Sequence, residues 1–468
     1  MNFAELRFWG LLLIGLVVIA ALRTACRAAW PAALPRFDRV ALISLGMFLL
    51  MCVSWRTFVI WLCVALGSYY GLKWILKRHA GASRKWLLVL IPLQLAPLFY
   101  YKYGDFALNR VFGLGFDSLH HLVIPVGLSF YTFQKVAFVL DTLAFKEPLP
   151  RLLDYMNFAG FFPQIVAGPI ERKRDLLPQM EAFRFRWDKG LINDGATWVT
   201  VGIFFKCCLA DNLAIWMPLF KASTSNPFMI WMANLLFGLR IYYDFAGYSL
   251  IAFGLARCLG VRLTLNFVSP YCARSVQELW RRWHVTLSNW FRDYVYIPLG
   301  GGRVRAWALV LAVVFVVSGL WHGAGWNFVL WGALHGSLLI FHRLTKPFAA
   351  PGPLAWLSTM LGTFFAWLCF YETRSDALWL KLGTMLSPGA YNGQALRAAA
   401  DALMGGQGVV LGGLLGLAAA TLALEWWSVR RRDEPYVLLR RPVVLACMVV
   451  LTVVLAPGKT NAFIYFAF

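Results

Sequence analysis

The sequence predicts an all-α polytopic membrane protein, and three observations carry that expectation. Of 468 residues, 60% are hydrophobic and only 14% charged, whereas soluble domains are roughly half apolar and about a quarter charged. The mean hydropathy of +0.64 is concentrated in stretches near ~20 residues, the length a helix needs to cross a ~30 Å hydrocarbon core. The net charge of +22, from 44 basic and 22 acidic residues, gathers in short loops between those stretches, as the positive-inside rule expects. A basic chain can signal nucleic acid, but this placement argues for the lipid bilayer as the partner and against nucleic acid.

In chain order, a first span is expected around Leu11 to Leu22. Glu5 and Arg7 precede it, so the positive leader of a signal peptide is missing and a retained helix is expected. Further spans are expected at Thr57 to Leu76, Trp86 to Tyr103, Pro227 to Ile251, Ala306 to Trp321 and Val409 to Trp427. Pro227 suits a helix start, where its missing N–H would be unpaired anyway. Basic loops fall at Lys77 to Lys85, Arg172 to Lys189 and Arg430 to Arg441. Held in the cytoplasm, they give about 12 transmembrane helices with both termini outside.

Two stretches break this pattern. Lys146 and Arg174 should both lie inside, so the apolar run Met156 to Ile170 cannot cross. It contains Gly160, Pro163, Gly168 and Pro169, and a re-entrant element is expected, since broken backbone is tolerated only where protein or a cavity shields it. Arg257 to Arg305 is too polar to span and too aromatic for a free loop. Trp280, Trp283, Trp290 and Phe291 suggest helices lying in the membrane interface. Three sections result: residues 1–104 as N-terminal spans, 105–345 as a core, and 346–468 as C-terminal spans with an outside segment at Ala377 to Gly408.

The nine cysteines show no C-x-x-C spacing, so neither a disulfide framework nor a metal site is expected. Seven histidines are present. His79 sits in a basic loop, His120 and His121 at the outer end of a span, and His342 beside Arg343. His335 shares a helical face with Gly332 and Trp331, and packing is expected for it. His322 lies in Ser318-Gly319-Leu320-Trp321-His322-Gly323-Ala324-Gly325. Ionisable groups within spans are rare and face the interior or a wet cavity. The glycines would let another backbone or a substrate come close. A buried imidazole stays neutral, as a general base must before it takes a proton; a packing histidine fits equally. His284 follows Trp280-Arg281-Arg282-Trp283, whose arginines suit phosphate recognition or positive-inside anchoring. Composition and spacing leave these alternatives open.

Ordered blocks add what spacing lacks. They are Pro125 to Gln134, Phe161 to Ile170, Lys206 to Asp211, Tyr243 to Ser249, Leu265-Asn266-Phe267 to Tyr271, Trp280 to His284, Phe291 to Gly301, and Trp321-His322-Gly323. Together they resemble the membrane-bound O-acyltransferase family, in its bacterial branch of alginate O-acetylation and teichoic-acid D-alanylation membrane proteins. The resemblance implies helices ringing a central tunnel, His322 as the catalytic histidine and His284 as its second histidine. It implies donor binding by Trp280, Arg281, Arg282 and Asn266, with acetyl-CoA as the acyl-donor substrate and no bound cofactor. It implies partners as well: a periplasmic esterase-like (SGNH) acetyltransferase or accessory protein, and a polysaccharide biosynthesis complex. The acceptor would be an exopolysaccharide such as alginate or cellulose, with peptidoglycan or teichoic acid as alternatives. Leu250, where the family usually carries an acid, and Cys369 to Thr373 depart from the pattern. A polysaccharide or lipid transporter is the rival class, but no inverted repeat is visible. A non-catalytic scaffold is a third reading.

Overall fold

The computed structural model describes residues 3–79, 84–119, 122–345, 352–405, 408–432, 434–458 and 461–464. Among these residues every regular element is helical: α1 Leu6–Ala29, α2 Leu34–Val53, α3 Trp55–Arg78, α4 Leu87–Leu98, α5 Leu128–Leu143, α6 Leu152–Ala159, α7 Lys173–Glu181, α8 Lys189–Ile203, α9 Asp211–Lys221, α10 Pro227–Cys258, α11 Val276–Arg282, α12 Val285–Phe291, α13 Trp307–His322, α14 Trp326–Thr345, α15 Gly352–Tyr371, α16 Ser375–Leu386, α17 Gly393–Met404, α18 Gly408–Arg432 and α19 Pro442–Leu455. Among the described residues, five helical runs are long and apolar enough to cross a membrane: Leu6–Ala29, Trp55–Arg78, Lys189–Lys221, Gly352–Tyr371 and Gly408–Arg432. Trp307–His322 and Pro442–Leu455 are shorter apolar helices. The chain is a multi-pass membrane protein. Helix α10 starts on Pro227, as expected, and runs 32 residues.

The chain divides into two compact units that interleave along the sequence: residues 1–199 with 249–265, and residues 200–248 with 266–468. The first is knit by polar contacts between apolar helices. Arg23 holds Asp38 at 2.7 Å and Arg39 holds Asp154. Lys135 is buried, with Nζ donating to the Trp61 carbonyl at 3.0 Å. Pro92 and Pro97 lie inside α4, and wide π-helical turns follow at Phe99–Tyr103 and Asp105–Val111, a local answer to lost backbone donors. The Met156 to Ile170 run is not a crossing helix. Helix α6 has eight residues, ~12 Å at ~1.5 Å per residue, and turns follow it to Ser-free, buried backbone at 161–170. Gly127, at φ +76°, starts α5 where a Cβ would stand 2.9 Å from Val166. The first two sequence blocks therefore touch.

In the second unit, the segment Ala377 to Gly408 holds most of helix α16 and all of α17; residues 406 and 407 lie outside the described residues. The aromatic stretch 276–296 forms two seven-residue helices and a π-helical turn, Arg292–Tyr296. Its aromatic side chains turn into the protein: Trp283, Trp290 and Phe291 are buried. They pack inward because α11 and α12 are short and neighbours cover them. Trp283, for instance, meets Tyr271 and Trp367 rings at 6.0 and 5.2 Å.

Candidate active site

His322 is the last residue of α13 and is 2% exposed. Its position follows from glycine. A Cβ at Gly319 would fall 2.1 Å from the Phe328 carbonyl oxygen, and one at Gly332 would fall 2.3 Å from that of Phe315. The α13–α14 hairpin thus packs backbone on backbone, as small residues allow between membrane helices. Gly323 lies against the Phe328 ring. The neighbour these glycines admit is helix α14. Rings of Trp321, Trp331 and Phe370 surround the imidazole at 4.9, 5.0 and 5.2 Å.

His284 is held differently. It links α11 to α12 in the left-handed region, at φ 43° and ψ 53°, a conformation uncommon for a residue with a Cβ. It is fully buried. Its Nδ1 lies 3.2 Å from Asn266 Oδ1, which also accepts from the Thr286 N–H at 3.2 Å and Thr286 Oγ1 at 2.9 Å. Because that oxygen accepts the Thr286 N–H, Nδ1 is the protonated ring nitrogen and Nε2 carries the lone pair. Burial lowers the His284 pKa from 6.5 to about 3, so the ring is neutral at pH 7. One indole joins the pair: Trp321 meets His284 at 5.7 Å and His322 at 4.9 Å.

The loop carrying Asn266 is itself anchored. Arg282 pairs with Glu278 at 2.9 Å and donates to the Val268 carbonyl at 3.1 Å. Tyr436 Oη donates to the Phe267 carbonyl at 3.1 Å and accepts from the Ser269 N–H. Tyr436 Oη lies 3.2 Å from Tyr242 Oη, which donates to Glu425 at 2.5 Å. Sequence reasoning missed Glu425 and Tyr436, although a carboxylate in the apolar run of α18 was a visible signal. Phe245, from the Tyr243 to Ser249 block, packs on His284 at 4.7 Å. One turn away, Lys206 bridges Asp211 and Asp244 at 2.8 and 2.9 Å. That ion triad ties the Lys206 to Asp211 block to α10.

A cavity of about 740 Å³ opens beside this centre, lined by Trp280, Arg281, Arg292, Ser318, His342 and Arg343 among others. Ser318 is one helical turn before His322 and on the same face. Arg343 stacks on Trp307 at 4.1 Å. The expected donor-binding residues therefore separate: Trp280 and Arg281 line the cavity, while Asn266 and Arg282 hold the His284 turn. His342, expected only at a helix end, lines the cavity too. His335 lies buried between Trp280 and Trp331 at 5.1 and 4.7 Å. His79 stacks among Trp74 and Trp86. His120 and His121 lie outside the described residues. Among the described residues no cluster of three His, Cys, Asp or Glu could hold a metal ion.

The membrane-bound O-acyltransferase family model matches residues 41–374. The probable alginate O-acetylase of Azotobacter vinelandii is 34% identical over 364 residues, 73% of this chain and 72% of that protein. The peptidoglycan O-acetyltransferase of Helicobacter pylori is 35% identical over 327 residues, 62% of each chain. The teichoic acid D-alanyltransferase of Bacillus subtilis is 29% identical over 240 residues, 47% of this chain and 59% of that one. The chain belongs to the membrane-bound O-acyltransferase family and is an O-acyltransferase.

Proposed function

We propose that this O-acyltransferase moves an acetyl group from cytoplasmic acetyl-CoA across the bacterial inner membrane to acetylate an extracytoplasmic polysaccharide. The observation that carries the reading is the pairing of His322 and His284 about Trp321, with a basic-walled cavity ending one turn from His322. Arg281, Arg292 and Arg343 suit the phosphates of a coenzyme A thioester, whose acyl arm would lie along Trp280 towards Ser318. His322 takes the proton of the acceptor hydroxyl as that oxygen attacks the thioester carbonyl; the thiolate leaves and is protonated. General base catalysis of this kind is worth about 10²- to 10⁴-fold. His284, neutral and with Nδ1 committed to Asn266, stands on the donor side and helps hold the thioester through Trp321, on which it packs.

Among the relatives, those named for alginate and peptidoglycan O-acetylation are 34% and 35% identical, against 29% for the D-alanyltransferase. That ordering favours acetyl transfer; the wider match to the alginate relative, 73% of this chain against 62%, favours an exopolysaccharide such as alginate or cellulose as first acceptor and peptidoglycan as second. About twelve crossings, both termini outside, a tunnel joining the two faces, and an esterase-like periplasmic partner complete the reading. Purified protein given acetyl-CoA labelled in the acyl group should release free coenzyme A and pass label to a glycan or partner protein. Thioester consumption no faster than in protein-free buffer, with acceptor present, overturns it and favours a transporter or scaffold.

A further inference from the structure

A second and larger cavity, about 1190 Å³, lies in the 200–248 and 266–468 unit among α10, α15 and α18. Its walls include Leu235, Leu239, Leu357, Met360, Leu361 and Phe364. It is an open groove: Leu357 is 45% exposed, Leu361 48% and Trp426 42%. In a chain that spans the membrane, such surface meets lipid. Among the described residues, two arginines, Arg274 and Arg430, line it, and no acidic side chain does. The Arg430 guanidinium sits 4.9 Å over the Trp426 ring. Arg274 Nη1 comes within 3.5 Å of where a Cβ on Gly352 would be, at the start of α15. The charges thus gather where α15 begins and α18 ends. That end carries the Arg430 to Arg432 cluster, cytoplasmic by the positive-inside rule. From Gly352 to Phe364 the wall runs ~18 Å at ~1.5 Å per residue, close to the ~15 Å of one leaflet's share of the hydrocarbon core.

We propose that this groove is a binding site for one anionic glycerophospholipid of the cytoplasmic leaflet, its phosphate between Arg274 and Arg430 and its acyl chains along α10 and α15. Charge complementarity selects this occupant. A zwitterionic lipid brings a cation beside its phosphate and leaves the two guanidiniums only partly compensated, whereas basic residues at that depth attract headgroups of net negative charge. A partner's membrane helix would fill the apolar walls but supplies no obligatory anion at the Arg274 and Arg430 end.

The test uses the full chain in detergent, stripped of lipid and titrated with phosphatidylglycerol, phosphatidylcholine or inorganic phosphate, with native mass spectrometry and thermal unfolding as readouts. Phosphatidylglycerol should bind as a single tight adduct and raise the unfolding temperature; phosphatidylcholine should bind at least tenfold more weakly, and inorganic phosphate should do neither. The double variant Arg274→Ala/Arg430→Ala should weaken phosphatidylglycerol about tenfold or more. Ala423→Trp, which fills the groove and keeps both arginines, should abolish the adduct. Equal binding of the two lipids, or an adduct unchanged in the variants, overturns the proposal. A photo-crosslinker at Leu357 in cells should yield a lipid-sized adduct; a protein-sized one overturns it in favour of a partner helix.

Discussion

The two histidines at the centre of this enzyme differ in what surrounds them. His284 makes a hydrogen bond to Asn266 Oδ1, which sets its tautomer, and the loop bearing Asn266 is tied down by Arg282 and Tyr436. His322 is fixed by shape, at the end of a helix pressed onto its neighbour through Gly319 and Gly332 and walled by Trp321, Trp331 and Phe370. The difference suits the proposed division of work. A hydrogen-bonded ring keeps one tautomer and one orientation through the cycle.

Substitutions can break this comparison. The largest effect is expected for His322→Ala: polymer acylation in cells should fall about 10²- to 10⁴-fold at normal protein level by immunoblot, and full acylation would leave His322 a packing residue. Asn266→Ala should be next. It removes the acceptor shared by His284 and Thr286, and turnover should drop up to about 10²-fold through misorientation, with unfolding only modestly earlier. Unchanged turnover in purified protein would mean that His284 needs no fixed tautomer. Gly319→Ala tests the packing side. Its Cβ would meet backbone rather than a movable side chain, so α14 must shift, at about 1–3 kcal/mol, read as a lower unfolding temperature.

The smallest effect separates site chemistry from background stability. In the other unit, burial raises the Glu171 pKa from 4.5 to about 7, opposed by the hydrogen bonds it accepts from the Thr264 N–H and hydroxyl. The folded state therefore holds the proton more tightly than the unfolded chain. Glu171's contribution to stability should fall as pH rises from about 4.5 to about 7 and level off above. Glu171→Gln should flatten the unfolding temperature across that window; a slope identical to wild type would assign the pH dependence elsewhere. Activity profiles of the histidine variants are then read against that baseline, with His284 neutral near pH 7.

Much of this was legible in the chain. Hydropathy marked the spans at Leu6–Ala29, Trp55–Arg78 and Gly408–Arg432, because transfer into lipid acts on each stretch by itself. Pro227 marked a helix start, and the glycines around His322 marked a close contact, since both reflect local backbone chemistry. The family blocks pointed to His322 and His284. What the sequence by itself determined is therefore a multi-pass helical O-acyltransferase with two histidines to watch. Tertiary structure decided the rest: that Trp321 joins the two rings, that Arg281 faces the cavity while its neighbour Arg282 braces a loop, that the tryptophans of 276–291 turn inward, and that Glu425, far along the chain, accepts from the Tyr242 hydroxyl. Their hydrogen bonds join residues 14 to 183 positions apart, and hydrogen-bond geometry across such separations leaves no periodic trace in the residues that make it.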